Sequence, residues 1–247
     1  MLSVLRLREF RLLWLGQSIS LLGDGLVIVA IGLYVTRLTG NPADVGLVLA
    51  AYAIPLVAFV LLGGVLADRL PRQRVMVASD TILAVLHAVL AVLILTGAVR
   101  IWQMVVIGML FGTAEAFFRP AYTGLVPQTV GEDRIQDAQA LSGVSAQISE
   151  VASPALATAL VLGVGASAAF ALDALSFVVS ALLLIQFAAV TVWDVWAAWV
   201  FIAGRVLHTA VQTKSSNVQL RGLVFGINAL AVFVLVGHVA VLAWGFA

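Results

Sequence analysis

Gly64-Val-Leu-Ala-Asp68-Arg69-Leu-Pro71-Arg72-Gln-Arg74 joins two long apolar stretches, and its reading decides the fold. Gly64 is a small residue of the kind that lets two helices approach closely in lipid. Asp68 falls where an apolar segment ends, and Arg69, Arg72 and Arg74 follow at once. Positive charge of this kind holds a loop on one side of a membrane. The spacing G-x-x-x-D-R-x-x-R-x-R is more elaborate than that rule requires.

The composition around the loop belongs to a membrane. Of 247 residues, 63% are apolar and 10% charged. A soluble domain carries about 25% charged and about 45–50% apolar residues. A soluble globule, a disordered chain and a disulfide scaffold are excluded. Thirteen Lys and Arg against twelve Asp and Glu give a net charge of +1, so no nucleic acid or other polyanion is indicated as a partner. Cysteines are absent, which removes thiolate metal sites and Cys nucleophiles. Three dispersed His cannot form a metal cluster, and no phosphate-binding loop appears, so neither metal nor cofactor is expected.

A membrane helix takes about 20 apolar residues. Eight such stretches separate at 12–36, 45–67, 75–96, 101–124, 139–162, 167–187, 195–211 and 222–244. They read as helices, because open sheet edges cannot face lipid and the alternation of a barrel strand is missing. Thr39-Gly40-Asn41-Pro42, Leu70-Pro71-Arg72, Thr96-Gly97 and Gly163-Val164-Gly165 punctuate them. The first stretch is too long for the core of a cleaved signal and lacks a cleavage site, so it reads as a first membrane helix. Arg6, Arg8, Arg11, Arg69, Arg72, Arg74 and Arg134 fall on one side, Arg37 and Arg100 on the other. Seven against two places the N-terminus in the cytoplasm of a multi-pass protein of the cytoplasmic (inner) membrane.

The loop at Gly64–Arg74 resembles the signature loop of the major facilitator superfamily. Further matching segments follow in order: Gly23-Asp24-Gly25, Phe117-Phe118-Arg119-Pro120-Ala121 ending helix 4, Leu125-Val126-Pro127 opening the next loop, Ala138-Gln139-Ala140-Leu141 and Ser153-Pro154-Ala155-Leu156. The order resembles the branch of enterobactin-exporter-like and macrolide-efflux-like proteins, over residues 5–188. The resemblance implies secondary active efflux of a small organic compound such as a drug or siderophore. It also implies twelve helices in two halves, with the path between them. This chain supplies one half, so an incomplete or truncated transporter is expected, with a second half or a homodimer as partner. The loop aspartate faces the far half in that family, which leaves Asp68 without that partner here. Pro71 stands for the second loop glycine, Met104 for the helix-4 arginine, and Ala157-Thr158 for two helix-5 glycines.

A charge at mid-bilayer costs at least about 2.5–3.5 kcal/mol, so intramembrane ionisable residues face protein, a cavity or the interface. Asp24, Glu115, Arg119 and Glu150 are the candidates for a substrate or proton path. Glu115 and Arg119 stand four apart in the favourable order, and a purely structural ion pair is the alternative. Glu150 precedes Pro154 by four residues, so the proline frees its carbonyl. Asp80 and Asp173 read as interfacial or packed against a neighbouring helix, His87 as packed rather than a relay. Gly108-x-x-x-Gly112 reads as a close-packing face.

A seam falls near 188–194. Trp193, Trp196 and Trp199 form an interfacial belt, and Lys214 and Arg221 break the charge pattern. Arg205-Val-Leu-His208-Thr and Ser216-Asn217-Val-Gln-Leu220-Arg221 resemble the end of membrane-associated eicosanoid and glutathione metabolism proteins. That resemblance implies anion binding by Arg205, His208 and Arg221, with Arg221 as a carboxylate clamp. The enzyme family's second-helix Glu/Arg/Asn motif is absent, so helix-end anchoring by snorkelling is the plainer reading. The expectation is an all-α polytopic membrane protein. Residues 1–188 form a six-helix major-facilitator half and residues 189–247 a two-helix tail. It is a transporter rather than an enzyme; a glutathione-linked membrane enzyme and a non-transporting relic of a gene fusion are the alternatives.

Overall fold

The computed structural model describes residues 2–186. A 3-10 turn, Leu2–Arg6, leads into α1 (Arg8–Thr39), α2 (Pro42–Arg69), α3 (Arg72–Leu95) and α4 (Ile101–Val130). A second 3-10 turn, Glu132–Arg134, precedes α5 (Ile135–Gly163) and α6 (Ala166–Ile185). The described residues hold six helices long and apolar enough to cross a membrane, and no strand. The seventh and eighth apolar stretches, with Arg205, His208 and Arg221, lie outside the described residues.

The turns form where the local chemistry stops a helix. Gly40 closes α1 with φ 68°, a left-handed conformation that costs a glycine little, and its N–H reaches the Thr36 carbonyl. Asn41 then caps α2, its Oδ1 accepting from the Ala43 N–H at 3.0 Å, with Pro42 in the first turn where no N–H is needed. Short connections make successive helices alternate in direction. The seven arginines of the 1–188 loops therefore gather at one end of the bundle, its basic end, and Arg37 and Arg100 at the other.

Pairing does not follow chain order. α2 packs chiefly on α4, α3 on α6, and α1 between α5 and α6. The α2–α4 seam depends on missing side chains. A Cβ at Gly112 would run into the Tyr52 carbonyl, and Gly108 lies against the backbone of Val48 and Tyr52. Gly108-x-x-x-Gly112 is thus a contact face, and dispersion across it holds the pair. Many large apolar side chains, among them Ile54, Leu61, Leu95 and Val151, stay exposed on the outside of the bundle, as a lipid-facing surface requires.

Two expectations need correction. Gly64 is not the close-approach residue: no heavy atom lies within 4 Å of a Cβ placed there. Its neighbour Gly63 is, lying against the Ala116 carbonyl of α4. The helix turns 100° between adjacent residues, so only one of the two can face α4. Helix 4 also does not end at Phe117–Ala121, nor does Leu125-Val126-Pro127 open a loop. α4 runs through Pro120 and Pro127 to Val130. A proline inside a helix costs about 3 kcal/mol in water, but in a membrane bundle neighbours and hydroxyls re-engage the freed groups. Pro120 has no N–H for the Ala116 carbonyl, and Gly63 packs over that carbonyl.

Candidate functional site

A cavity of about 460 Å³ opens among α1, α2, α3, α4 and α5. Its walls are mostly apolar, with Val27, Val48, Leu90, Ile107 and Phe111 among them. All four path candidates, Asp24, Glu115, Arg119 and Glu150, line it.

Asp24 is placed by the glycines on either side of it. A Cβ at Gly23 would enter the Asp173 carboxylate on α6, and one at Gly25 would enter the Ser153 side chain on α5. Ser153 Oγ donates to the Leu22 carbonyl at 3.3 Å. α1 is therefore pinned from both sides at this level, and the residue between the two contacts turns toward the cavity. Asp24 Oδ1 is buried without a hydrogen-bond partner. A buried polar atom left unpaired costs about 1–3 kcal/mol, which marks this carboxyl as one poised for an outside partner.

Glu115 and Arg119 pair along α4, Arg119 Nε donating to Glu115 Oε1 at 2.8 Å. Tyr52 of α2 completes the group. Its hydroxyl donates to Glu115 Oε2 at 3.3 Å and accepts from Arg119 Nη2 at 3.2 Å. Three side chains thus close a ring of hydrogen bonds across the α2–α4 seam, with the arginine half-open to solvent. The sequence reading missed Tyr52. The signal was a lone tyrosine in an apolar helix, since a buried Tyr hydroxyl usually finds a partner. Glu150 is exposed on the α5 side of the cavity, where Gln147 Nε2 donates to its Oε2 at 3.4 Å.

At the basic end, Arg72 draws the signature loop together. Its Nη2 meets Asp68 Oδ1 at 3.1 Å, and its Nη1 donates to the Gly124 carbonyl of α4. A Cβ at Gly124 would fall on the guanidinium, so the glycine makes room for it. Asp68 is largely exposed and takes Arg72 as its partner. Arg69 is exposed and Arg74 half-buried.

Asp173 of α6 lies against Gly23 of α1, and His87 of α3 lines the same cavity as Glu150. Asp173 and His87 are both buried, and His87 Nδ1 bonds Asp173 Oδ2 across the α3–α6 contact. Asp173 and Asp80 are packed among helices, each with no exposure.

The comparisons with known proteins agree with this architecture. The sequence matches the family described as Transmembrane secretion effector over residues 1–243, a span that includes the stretch likened to glutathione-metabolism proteins. Macrolide efflux protein A of Streptococcus pyogenes is 27% identical over 174 residues, 70% of this chain and 43% of that protein. An uncharacterized MFS-type transporter of Bacillus subtilis, YfiS, is 29% identical over 169 residues, 68% of this chain and 39% of its own length. The multidrug efflux pump Tap of Mycolicibacterium fortuitum is 35% identical over 99 residues, 40% of this chain and 24% of the pump. The matched part of this chain thus spans less than half the length of these relatives. No solved structure matches. With six apolar helices, a signature loop tied by Arg72 and a family match over nearly its whole length, this multi-pass membrane protein belongs to the transmembrane secretion effector family of the major facilitator superfamily.

Proposed function

We propose that residues 1–188 form one half of a secondary active exporter of small organic compounds, oriented with the N-terminus in the cytoplasm. The observation that carries this reading is the cavity. Its volume of about 460 Å³ and its mainly apolar wall suit a drug-sized amphipathic molecule. Three carboxyls and one arginine on that wall supply the few polar contacts that orient such a ligand. Asp24 and Glu150 contact the polar or cationic group of the substrate. The Tyr52–Glu115–Arg119 ring fixes the α2–α4 wall against which its apolar body rests.

Two relatives are named for macrolide and multidrug efflux, which supports a macrolide-like compound as substrate. The opposite wall of the path belongs to a second half, as the two-half design of such transporters requires. For residues 189–247 the reading is membrane anchoring, with Arg205, His208 and Arg221 as snorkelling residues rather than a glutathione site. The family match to residue 243 supports that choice.

The test is erythromycin binding to the full chain in nanodiscs, followed by tryptophan fluorescence, together with macrolide accumulation in a pump-deficient bacterium expressing the chain with a second half. Asp24→Asn is expected to weaken binding at least tenfold and to abolish the drop in accumulation at equal expression. Unchanged binding and efflux in Asp24→Asn would reduce Asp24 to a packing residue. No saturable erythromycin binding by the wild type would remove the macrolide reading.

A further inference from the structure

One polar seam in the bundle takes no part in the cavity contacts assigned to the substrate. It runs between α1, α3 and α6 and repeats every seven residues on each helix. On α1 the repeat is Gly16 and Gly23, on α3 Asp80 and His87, and on α6 Asp173 and Ser180. Gly16 lies against Ser180, and Gly23 against Asp173. His87 bonds Asp173. Ser180 faces the Asp80 carboxyl, whose two oxygens have no hydrogen-bond partner of normal geometry. Seven residues are close to two helical turns, so each pair stacks on one face. Antiparallel packing of α6 on α1 and α3 brings the levels into register.

The upper level of this seam is built as a site. Asp173 is fully buried, and its Oδ1 accepts from Ser176 Oγ at 3.1 Å while Oδ2 takes His87 Nδ1. Neither oxygen is left to water. The His87 ring is held by stacking on Phe111, with centroids 4.4 Å apart, and by an edge contact to Phe170 at 5.7 Å. His87 nevertheless belongs to the cavity wall. One imidazole nitrogen is therefore bound to a buried carboxyl, in a residue that borders the space open to ligand. An ionisable pair is expensive inside a membrane bundle unless it is used, and chains of Asp, Glu and His mark proton pathways there. Imidazole is the side chain whose charge changes most readily near neutral pH.

We propose that His87 and Asp173 form an intramembrane proton-binding site, back to back with Asp24 across the α1 backbone at Gly23. His87 takes up one proton from water on Nε2, the ring nitrogen turned away from Asp173. A new N–H bond forms, and Asp173 neutralises the imidazolium; release returns the same proton to water. Several other charged or titratable groups bear on this site. Asp24 of α1 and Asp80 of α3 lie within electrostatic reach of Asp173, and Tyr52 of α2, Glu115 and Arg119 of α4 and Glu150 of α5 line the same cavity as His87. The site gives an exporter half a place to carry a driving ion. It does not depend on which compound the cavity takes.

The test needs no ligand. The full chain with His208→Gln and His238→Gln keeps His87 as its single histidine. It is labelled with nitrogen-15 histidine and followed by NMR in nanodiscs from pH 9 to pH 5. The expected result is conversion of His87 from the neutral to the cationic form within that range. Asp173→Asn is expected to move the half-conversion pH by at least about one unit, the size of effect a neighbouring charge exerts. Asp68→Asn, at the exposed loop, is expected to leave it in place. The Nδ1 resonance of the unsubstituted pair also reports whether that nitrogen engages Asp173, so the test does not depend on the variant folding. A His87 signal that keeps one form across the range, or a conversion indifferent to Asp173→Asn, would overturn the proposal. Erythromycin binding that fails while His87 converts as expected would instead count against the substrate reading alone.

Discussion

Gly63 and Gly64 are adjacent in sequence, yet the same substitution at each should act with opposite sign. Gly63→Ala places a Cβ against the backbone of α4. The Ala116 carbonyl carbon would lie 2.9 Å away and the Phe117 Cα 3.1 Å, with the carbonyl oxygen closer still. No rotamer can relieve a backbone contact, so the helices must separate. Overpacking of this kind costs about 1–3 kcal/mol, occasionally more. It is offset by at most about 1 kcal/mol of improved helix propensity. At Gly64 nothing lies within 4 Å of the new Cβ, so the propensity gain stands alone. Gly63→Ala should destabilise by about 1–2 kcal/mol and Gly64→Ala should stabilise by up to about 1 kcal/mol.

The assay is reversible unfolding of the purified chain in mixed micelles by increasing sodium dodecyl sulfate, read by tryptophan fluorescence. A second comparison sharpens it. Gly112→Ala meets the Tyr52 carbonyl on the same seam, whereas Gly143→Ala meets nothing. The first should follow Gly63→Ala and the second Gly64→Ala. Equal stabilities for Gly63→Ala and Gly64→Ala would refute the reasoning, because they would show that α2 and α4 are not in backbone contact there.

Three further outcomes are expected. Glu115→Ala leaves Arg119 without its carboxylate and should cost about 1–2 kcal/mol in the same assay, below the about 3–5 kcal/mol of a fully buried pair because Arg119 is half-exposed. The swap Glu115→Arg/Arg119→Glu should recover part of that loss, and no recovery would assign the effect to Tyr52 or to shape alone. Arg72→Lys should destabilise by about 1 kcal/mol or more, since a lysine cannot span Asp68 and the Gly124 carbonyl with separate nitrogens, while Asp68→Asn should cost less than about 1 kcal/mol; the reverse ranking would remove the α4 tie. Single cysteines at Ser3, Asn41 and Gly97 in this Cys-free chain should be labelled from outside at Asn41 and Gly97 and not at Ser3; the reverse pattern would invert the orientation.

Much of the bundle was legible because lipid leaves few choices. A long apolar run must be a helix, and six of the stretches found in the sequence are helices within a few residues. The turns were legible where the chemistry was local, as at Gly40-Asn41-Pro42. Helix 4 was read too short, with Leu125-Val126-Pro127 as the start of a loop, whereas α4 continues through Pro120 and Pro127 to Val130. In a bundle, the carbonyl that Pro120 frees meets Gly63 of another helix, a contact between residues 53 positions away from each other (116 − 63 = 53). Local sequence cannot report it.

The candidate site divides along the same line. Asp24, Glu115, Arg119 and Glu150 stood out because a charge in an apolar run has to be accounted for on its own element. Their companions did not, because they acquire meaning only by pairing. His87 alone reads as packed, and it is packed, but against an aspartate 86 residues away. Asp173 alone reads as interfacial or packed against a neighbouring helix, with no partner named. Yet the pairing left a trace in spacing: Gly16 and Gly23, Asp80 and His87, Asp173 and Ser180 each recur at seven. A heptad of glycine on one apolar helix and heptads of polar residues on two others are what a buried polar seam requires, because small residues admit the neighbour that polar residues must find. In a membrane protein, then, repeats of small and polar residues at a common period mark where helices meet, and the seam that proton binding would use is the place where three such repeats coincide.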